Sequence, residues 1–349
     1  MRLGVFLSHD SALAVAAEAE RLGYAIALAP EGFKSDAVSV MGAVAARTSR
    51  IAIGSGVMQI PARTPVMTAL TAATLDGLSG GRFRLGLGVS NPDVSLGWYG
   101  VPFDRPLART REYVEVVRTA LRGGPVRYTG RYHRLPPDGS TEAAHLHAAP
   151  VRADIPVWLA AGGPASLELT GELADGWIGV FCPPDRVAES LSHIGKGRAR
   201  AGSDLAGFEV LPSVPISVGD DPWTAADAVR GYFANFIGLG SRRRSIYHAL
   251  TTRMGFGAAA DEVHALRQAG DRAGAARAVP FELMDRTSLL GPAERIAGRL
   301  AEYARAGVTT LGLTPLASTV AGQLDALRVA ARALELAAGG TVSGVGGPQ

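Results

Sequence analysis

The chain alternates short apolar segments with longer helical patterns, and this alternation limits its possible folds more than any other feature. Eight segments fit β-strands, and most of them are followed by a helical pattern. Eight such units are the count of a (β/α)8 barrel, so we predict an α/β fold of the TIM-barrel type with insertions. The predicted strands are residues 3–7, 24–29, 50–56, 83–89, 155–160, 176–181, 208–218 and 309–314.

Capping and breaking residues mark the helices between these strands. Ser11 is predicted to cap a first helix that runs to about residue 22 and is closed by Gly23, and Thr64 followed by Pro65 marks another helix start. The alternative architecture, an open doubly wound sheet, needs a glycine loop after the first strand, and residues 7–11 contain no glycine. The other predicted helices are 36–47, 65–78, 105–121, 164–173, 187–201, 292–306 and 320–337.

We predict one domain, residues 1–338, that contains two insertions. Residues 123–150 are rich in Gly, Pro and His, and residues 220–280 hold about three helices without a clear strand. Both insertions are expected at the carboxyl ends of the strands, where barrels of this type bind ligands. Residues 339–349 are Gly-rich and are predicted to be a disordered tail.

Composition excludes several classes of protein. Hydrophobic residues make up 47% of the 349 residues, which is enough for a large core. The net charge is only +3, and the cationic residues are spread along the chain, so no nucleic-acid partner is expected. A single cysteine, Cys182, excludes a disulfide framework and a cysteine-rich zinc site. No apolar run approaches the roughly 18 residues of a membrane span, so no membrane segment is expected, and together with the single cysteine this favours a cytoplasmic protein.

Three glycine-rich turns follow the third, fourth and fifth strands. The turn at 53–58 suggests a bulge close to a ligand, and the turn at 85–92 would admit a flat group near the backbone. In the turn at 159–166, two glycines precede the helix that Pro164 opens, so free N–H groups would face an anion such as a phosphate. Each turn could also be an ordinary loop, but turns after barrel strands share one mouth.

Several motifs resemble those of the bacterial luciferase-like flavin and deazaflavin oxidoreductases, with the greatest likeness to the branch that uses coenzyme F420. This resemblance implies a TIM barrel and an oxidoreductase that transfers a hydride between the F420 deazaflavin and a small organic substrate. The alternative is an FMN-dependent monooxygenase of the same superfamily. The matching motifs lie within residues 1 to about 335 and include Arg47–Val57, Gly80–Gly88, Gly130–His133, Ala160–Pro164, Ala174–Ile178 and Gly291–Glu294.

The resemblance also implies a cofactor site with three parts. The end of the third strand carries a non-prolyl cis peptide between Gly56 and Val57 that backs the cofactor ring. A segment after the fourth strand lies along the ring and its ribityl chain, and the turn after the fifth strand cradles the phosphate. The implied cofactor-binding residues are Ser55, Gly56, Val57, Gly88, Val89, Ser90, Asn91, Ala160, Ala161, Gly162 and Gly163.

The chain departs from this family after the second strand. Several relatives place an acid–base pair with a histidine there, whereas this chain has Ala29-Pro30-Glu31-Gly32. Glu31, or His9 after the first strand, could transfer a proton. A solvated carboxylate and a helix-capping histidine are the alternatives. Without the imidazole, oxidation of a sugar alcohol becomes less favoured, and reduction of a C=C or C=N bond becomes more favoured.

Other candidate sites are weaker. The pair His145 and His147 fits a surface loop better than a metal site, and no metal is expected. The run Arg242–Arg244 is typical of a solvated helix start, although it could meet an acidic cofactor tail or an anionic substrate. A Schiff-base barrel would need a buried lysine at a strand end, and only Lys34 lies near one. A binder that keeps the cofactor but has lost catalysis is a further alternative.

Two remaining features concern packing. Trp158 and Trp177 flank predicted strands, and core packing is favoured over contact with a cofactor ring. The helix 65–78 carries apolar side chains on more than one face, so both faces are expected to be buried. We therefore predict a homodimer that uses this helix, the alternative being a helix covered by an insertion.

Overall fold

A computed structural model describes residues 1–140, 142–148, 151–152 and 154–339. Within these residues, eight parallel strands form a closed barrel, because the eighth strand pairs with both the seventh and the first. The predicted fold class is therefore confirmed. The barrel strands are β1 (Arg2–Phe6), β2 (Ile26–Ala29), β3 (Ala52–Ser55), β4 (Phe83–Gly88), β5 (Val157–Ala160), β6 (Gly176–Val180), β7 (Glu209–Val218) and β8 (Thr310–Pro315).

Helices surround this barrel and fill the insertions. The helices of the described residues are α1 (Ala12–Arg21), α2 (Ala37–Ala45), α3 (Pro65–Leu78), α4 (Pro92–Gly97), α5 (Pro106–Leu121), α6 (Pro164–Leu173), α7 (Pro184–Arg200), α8 (Pro222–Ile237), α9 (Ile246–Thr251), α10 (Gly257–Gln268), α11 (Arg272–Arg277), α12 (Phe281–Thr287), α13 (Ala293–Arg305) and α14 (Val320–Gly339). None of them is long and apolar enough to cross a membrane.

Short elements account for most differences from the predicted pattern. The predicted helices 65–78 and 164–173 match α3 and α6 residue for residue. The second insertion contains more helices than the three predicted, together with a π-helical segment at Thr252–Phe256. Two-residue strands form a hairpin at 128–135, and a further strand, Leu289–Gly291, pairs with β7. Strands of two or three residues are too short to show a periodic pattern, so the sequence did not predict them.

The prediction that the Ser11 side chain caps α1 is wrong. Ser11 occupies the N-cap position, but its side chain makes no capping hydrogen bond. The Ser11 hydroxyl instead donates to Gln323 Oε1 of α14 at 2.6 Å. The residue therefore joins the first and last helices, which helps to close the helical layer. Gly23 does end the first helical segment, with a φ of +77°.

The barrel interior changes from large to small side chains towards its carboxyl edge. Phe6, Leu28, Trp158, Ile178 and Leu211 belong to one buried cluster inside the barrel. Alternation along each strand then places smaller inward positions above them. Four of these inward-facing residues are half-buried: Val57, Ala160, Val180 and Thr314. Together with Gly56 and Gly88, we call them the barrel floor.

Two predicted regions fall wholly or partly outside the described residues. The predicted tail lies outside them except for Gly339, which ends α14 rather than beginning a disordered segment. In the first insertion, Thr141, Ala149 and Pro150 lie outside them.

Candidate functional site at the barrel mouth

The peptide bond between Gly56 and Val57 at the end of β3 is cis, as the resemblance implied. A Cβ atom on Gly56 would lie 2.6 Å from Phe6 Cε1, so only glycine fits here. The Ser55 side chain does not reach the mouth: its buried hydroxyl donates to the Gly86 carbonyl at 2.7 Å and accepts from the Gly86 N–H at 2.9 Å. Ser55 thus holds β3 against β4, and the outward-facing part of this turn is its backbone at Gly56 together with the half-buried Val57.

The glycines of β4 fit close to protein atoms. A Cβ atom on Gly86 would lie 2.0 Å from the Ser55 carbonyl oxygen, and one on Gly88 would lie 2.7 Å from Val57 Cγ2. Gly86 therefore does not leave space for a flat group, contrary to expectation, because the neighbouring strand β3 occupies the position where its side chain would be. Gly88 lies beside Val57 and Ala160, at the barrel floor.

Two polar residues follow Val89, which is half-buried at the end of β4. Ser90 has a φ of +66°, and its hydroxyl donates to Gln59 Oε1 at 2.5 Å. Asn91 caps α4 because its Oδ1 accepts from the Asp93 N–H at 2.8 Å. The Asn91 Nδ2 is buried and has no hydrogen-bond partner among the described residues. The turn thus keeps one unsatisfied donor.

Glu31 forms the centre of a hydrogen-bonded network rather than a solvated carboxylate. Its Oε2 accepts from Arg63 Nη1 at 2.6 Å and from the Gln59 N–H at 2.9 Å, and its side chain is 5% exposed. Gln59 Nε2 donates to the Glu31 carbonyl at 2.9 Å. We call Glu31, Gln59, Arg63 and Ser90 the Glu31 network. It ties together the turns after β2, β3 and β4.

His9 lies apart from this network. It follows β1 at the mouth, and its Nε2 is 2.6 Å from Asp10 Oδ1, with 39% of the side chain exposed. In the part of the chain that the structure describes, no hydrogen bond joins His9 to Glu31. The two predicted proton-transfer residues are thus at the same end of the barrel but do not form an acid–base pair.

The turn after β5 uses some of its amides and leaves others free. The Gly163 N–H donates to Ser166 Oγ at 3.1 Å, and the Ala161 N–H makes a long bond of 3.4 Å to the Ile178 carbonyl. Among the described residues, the Gly162 N–H and the first-turn N–H groups of Ala165 and Ser166 have no acceptor. These three amides lie at the positive end of α6, and we call them the anion cradle.

Side chains from distant parts of the chain hold this turn from behind. Trp177 is buried, as predicted, and its indole N–H also donates to the Ala161 carbonyl at 2.8 Å. Arg253 Nη2 donates to the Gly162 carbonyl at 2.9 Å, and Ile246 approaches Gly162 from α9. A cavity of about 40 Å³ adjoins Gly162 and Arg253. Since one water needs roughly 10–15 Å³ by this measure, there is room for a small group of atoms.

Sequence reasoning missed Gln59, Arg63 and Arg253. Gln59 and Arg63 lie about 30 residues from Glu31, and Arg253 lies 91 residues from Gly162. Their partners come together only when the barrel closes, so no local motif marks them. Gln59 and Arg63 do follow the glycine-rich turn at 53–58, and this position after a strand end is the sequence feature that could have marked them as site residues.

The other predicted candidates have structural partners. Arg244 pairs with Asp93 Oδ1 at 2.6 Å, and the neighbouring Arg242 pairs with Asp261 at 3.1 Å. Burial raises the pKa of the Cys182 thiol to about 12, which keeps it protonated and unreactive at neutral pH. The described residues contain no group of three or more His, Cys, Asp or Glu placed to hold a metal ion.

Comparison with known proteins agrees with this geometry. The family model for luciferase-like monooxygenases matches residues 4–310. A Mycobacterium tuberculosis protein whose name proposes a coenzyme F420-dependent oxidoreductase is 35% identical over 90% of this chain and 95% of its own length. A 5,10-methylenetetrahydromethanopterin reductase of Archaeoglobus fulgidus is 31% identical over 78% of this chain and 79% of its own.

A solved structure shares the fold. The coenzyme F420-dependent tetrahydromethanopterin reductase of Methanopyrus kandleri superposes with a TM-score of 0.80 and 24% identity, over 95% of this chain and 97% of that one. At this identity the likeness supports the barrel architecture alone. The family itself follows from the family model and the two sequence relatives. The chain belongs to the luciferase-like monooxygenase family of oxidoreductases, as its motifs predicted.

Proposed function

We propose that the protein is a coenzyme F420-dependent oxidoreductase that acts on a small organic substrate. The observation that carries this proposal is the arrangement of the mouth, where the cis Gly56–Val57 peptide is part of the barrel floor and the anion cradle lies at the turn after β5. A planar ring needs a flat support, and a phosphate needs free N–H groups. The names of the relatives from M. tuberculosis and A. fulgidus support the same cofactor class.

The unsatisfied polar atoms of the mouth fit such a ligand. Asn91 Nδ2 is buried without a partner after β4, and the Gly162 N–H is free after β5. A buried donor without an acceptor costs free energy, so a ligand with acceptor atoms along this path would be stabilised. When bound, the deazaflavin supplies a hydride, and the protein orients it and excludes water.

Within this function we propose reduction of a C=C or C=N bond, because the turn after β2 lacks the histidine that several relatives place there and that would assist the oxidation of an alcohol. Glu31 is buried and forms an ion pair with Arg63 at 2.6 Å, so proton transfer through Glu31 would break that pair. We therefore assign Glu31 a positioning role through the Glu31 network. His9, exposed beside Asp10, is the candidate for delivering the proton that follows hydride transfer.

An FMN-dependent monooxygenase is the second candidate, because the matching family model is named for luciferase-like monooxygenases. FMN has a planar ring and a phosphate of similar spacing, so the barrel floor and the anion cradle would serve it too. The two candidates differ in their need for oxygen. A deazaflavin has carbon where flavins have nitrogen at the hydride-carrying position, which favours hydride transfer over oxygen activation, and its absorbance lies to the blue of FMN.

We also propose that the protein forms a homodimer through α3. Met67, Leu70 and Leu78 are 52%, 38% and 65% exposed on one side of this helix, while its other side is buried against the barrel. Exposed apolar side chains of this size at helical spacing are typical of an interface. Static light scattering should give twice the mass of one chain, and L70E should reduce that mass to one chain.

A binding titration with three ligands tests the cofactor assignment. The ligands are F420, the phosphate-free deazaflavin riboside FO, and FMN, each followed by fluorescence with the purified protein. We expect F420 to bind most tightly and FO to bind at least about tenfold more weakly, because FO lacks the group that the anion cradle would hold. Equal affinity for FO and F420 would remove the cradle assignment. Tighter binding of FMN, with turnover that requires oxygen, would favour the monooxygenase.

A further inference from the structure

A second cavity lies beside the barrel mouth and is not explained by the cofactor. It has a volume of about 640 Å³ and is enclosed by the start of α3, the loop before α5, α5 itself and the hairpin at 128–135. Of the predicted cofactor residues, only Val89 is part of its wall. A volume of this size is in the range of pockets for small organic ligands.

The wall of this cavity combines an apolar surface with positively charged arginine side chains. Apolar residues such as Ile60, Val66 and Val101 form much of it, and the charged residues that line it are arginines, Arg63, Arg109 and Arg134. No carboxylate is among the lining residues of the described chain. Arg63 pairs with Glu31 and Arg134 pairs with Asp138 at 2.8 Å, so Arg109 is the arginine of this wall that remains to receive the acceptor oxygens of a ligand with an apolar body.

Arg109 is the best prepared of these donors. Asp104, which is not part of the wall, accepts from Arg109 Nη2 at 2.8 Å, and the guanidinium lies 4.4 Å from the centre of the Tyr132 ring. These contacts fix the plane of the guanidinium, while its Nη1 has no acceptor among the described residues. A fixed guanidinium loses little rotamer freedom when it binds a carboxylate.

The aromatic residues of the wall add no negative charge. Burial raises the pKa of Tyr113 to about 12, so its phenol stays neutral, and burial lowers the pKa of His133. The hydroxyl of Tyr132 is buried and has no partner among the described residues. The raised pKa of Tyr113 and the lowered pKa of His133 both favour neutral rings, so the aromatic part of the wall does not repel an anion.

We propose that this cavity binds an apolar organic acid, with its ring or hydrocarbon body against Val66 and Val101 and its oxyanion on Arg109. This site adjoins the mouth at Val89 but does not depend on which cofactor the protein uses. The proposal and the cofactor assignment can therefore fail separately.

Two fluorescent naphthalene probes test the proposal in the purified, cofactor-free chain. Anilinonaphthalene sulfonate carries an anion, and N-phenylnaphthylamine has the same aromatic body without it. We expect one saturable site that binds the sulfonate more tightly than the amine. R109M should weaken the sulfonate by about tenfold and leave the amine unchanged, since only the sulfonate loses a charge-assisted hydrogen bond.

Two further variants control this experiment. R328M removes another paired arginine on α14, away from the cavity, and should change neither affinity. V101W should fill the cavity and abolish both, with an unchanged circular dichroism spectrum showing that the chain is folded. Equal affinity for the two probes, an R109M variant that binds the sulfonate normally, or a V101W variant that binds both would overturn the proposal. Loss of probe binding as the chain dimerises would also overturn it, because a second chain would then fill the cavity.

Discussion

The two sides of the barrel mouth use their polar groups in opposite ways. After β2, β3 and β4, the Glu31 network satisfies its own members, and Glu31 is almost fully buried in it. After β5, the amides of the anion cradle have no acceptor among the described residues, while Trp177 and Arg253 hold the same turn by its carbonyls. The Glu31 network keeps a shape, whereas the turn after β5 keeps free donors. Substitutions on the first side should therefore affect folding, and those on the second should affect binding.

The largest effect is expected for R63M, which leaves the Glu31 carboxylate buried without its cationic partner. Removing one member of a buried ion pair typically destabilises a protein by about 4 kcal/mol. Urea denaturation should show this loss, and the double variant E31Q/R63M should recover at least half of it because no charge is then buried alone. A loss below about 1 kcal/mol would mean that the network is not what holds this side.

The second largest loss of stability is expected for G86A. The added Cβ would lie 2.0 Å from the Ser55 carbonyl oxygen, which cannot move without separating β3 from β4. Overpacking of this kind costs about 3 kcal/mol. The matched control is G163A on the other side, where the nearest atom would be Ser166 Oγ at 3.7 Å. A lower thermal unfolding midpoint for G163A than for G86A would contradict the division between the two sides.

R253M tests the binding side. Arg253 is exposed and holds the Gly162 carbonyl, so its loss should leave the free energy of unfolding within about 1 kcal/mol of the parent. We expect F420 affinity to fall by about tenfold, since the turn loses a charge-assisted hydrogen bond that orients it. FO affinity should not change. R243M, on the neighbouring exposed turn, is the control, and an equal effect there would show only a loss of general positive charge.

The smallest effect is expected for S166A. The Ser166 hydroxyl accepts from the Gly163 N–H and donates to the Gly163 carbonyl, so its removal costs about 1 kcal/mol of helix capping. It also frees the Gly163 N–H, so F420 affinity should be kept. A large loss of affinity in the fluorescence titration would instead show that the hydroxyl itself contacts the phosphate.

The sequence predicted those parts of the molecule that depend on local pattern. The strand and helix alternation gave the barrel, and Thr64 and Pro65 marked the start of α3 correctly. The three glycine-rich turns were placed at one mouth, and the cis peptide at Gly56 followed from the family resemblance.

The remaining features depend on contacts between distant residues. Which amides of 161–163 stay free was not predictable, because Ser166 and Ile178 take two of them only in the folded chain. The contacts of Glu31 were not predictable for the same reason, since Arg63 and Gln59 reach it from another loop. The short hairpin at 128–135 has too few residues per strand to show an alternating pattern.

The bond from Arg253 to the Gly162 carbonyl has a thermodynamic consequence. It spans 91 residues and joins the turn after β5 to the helical insertion that follows β7. A ligand at the turn that changes, through this bond, the affinity of the insertion for a second ligand must have its own affinity changed by that second ligand by the same factor, because linkage between two binding events is reciprocal. Two ligands bound on either side of the Arg253 guanidinium would thus change each other's affinity through a single side chain.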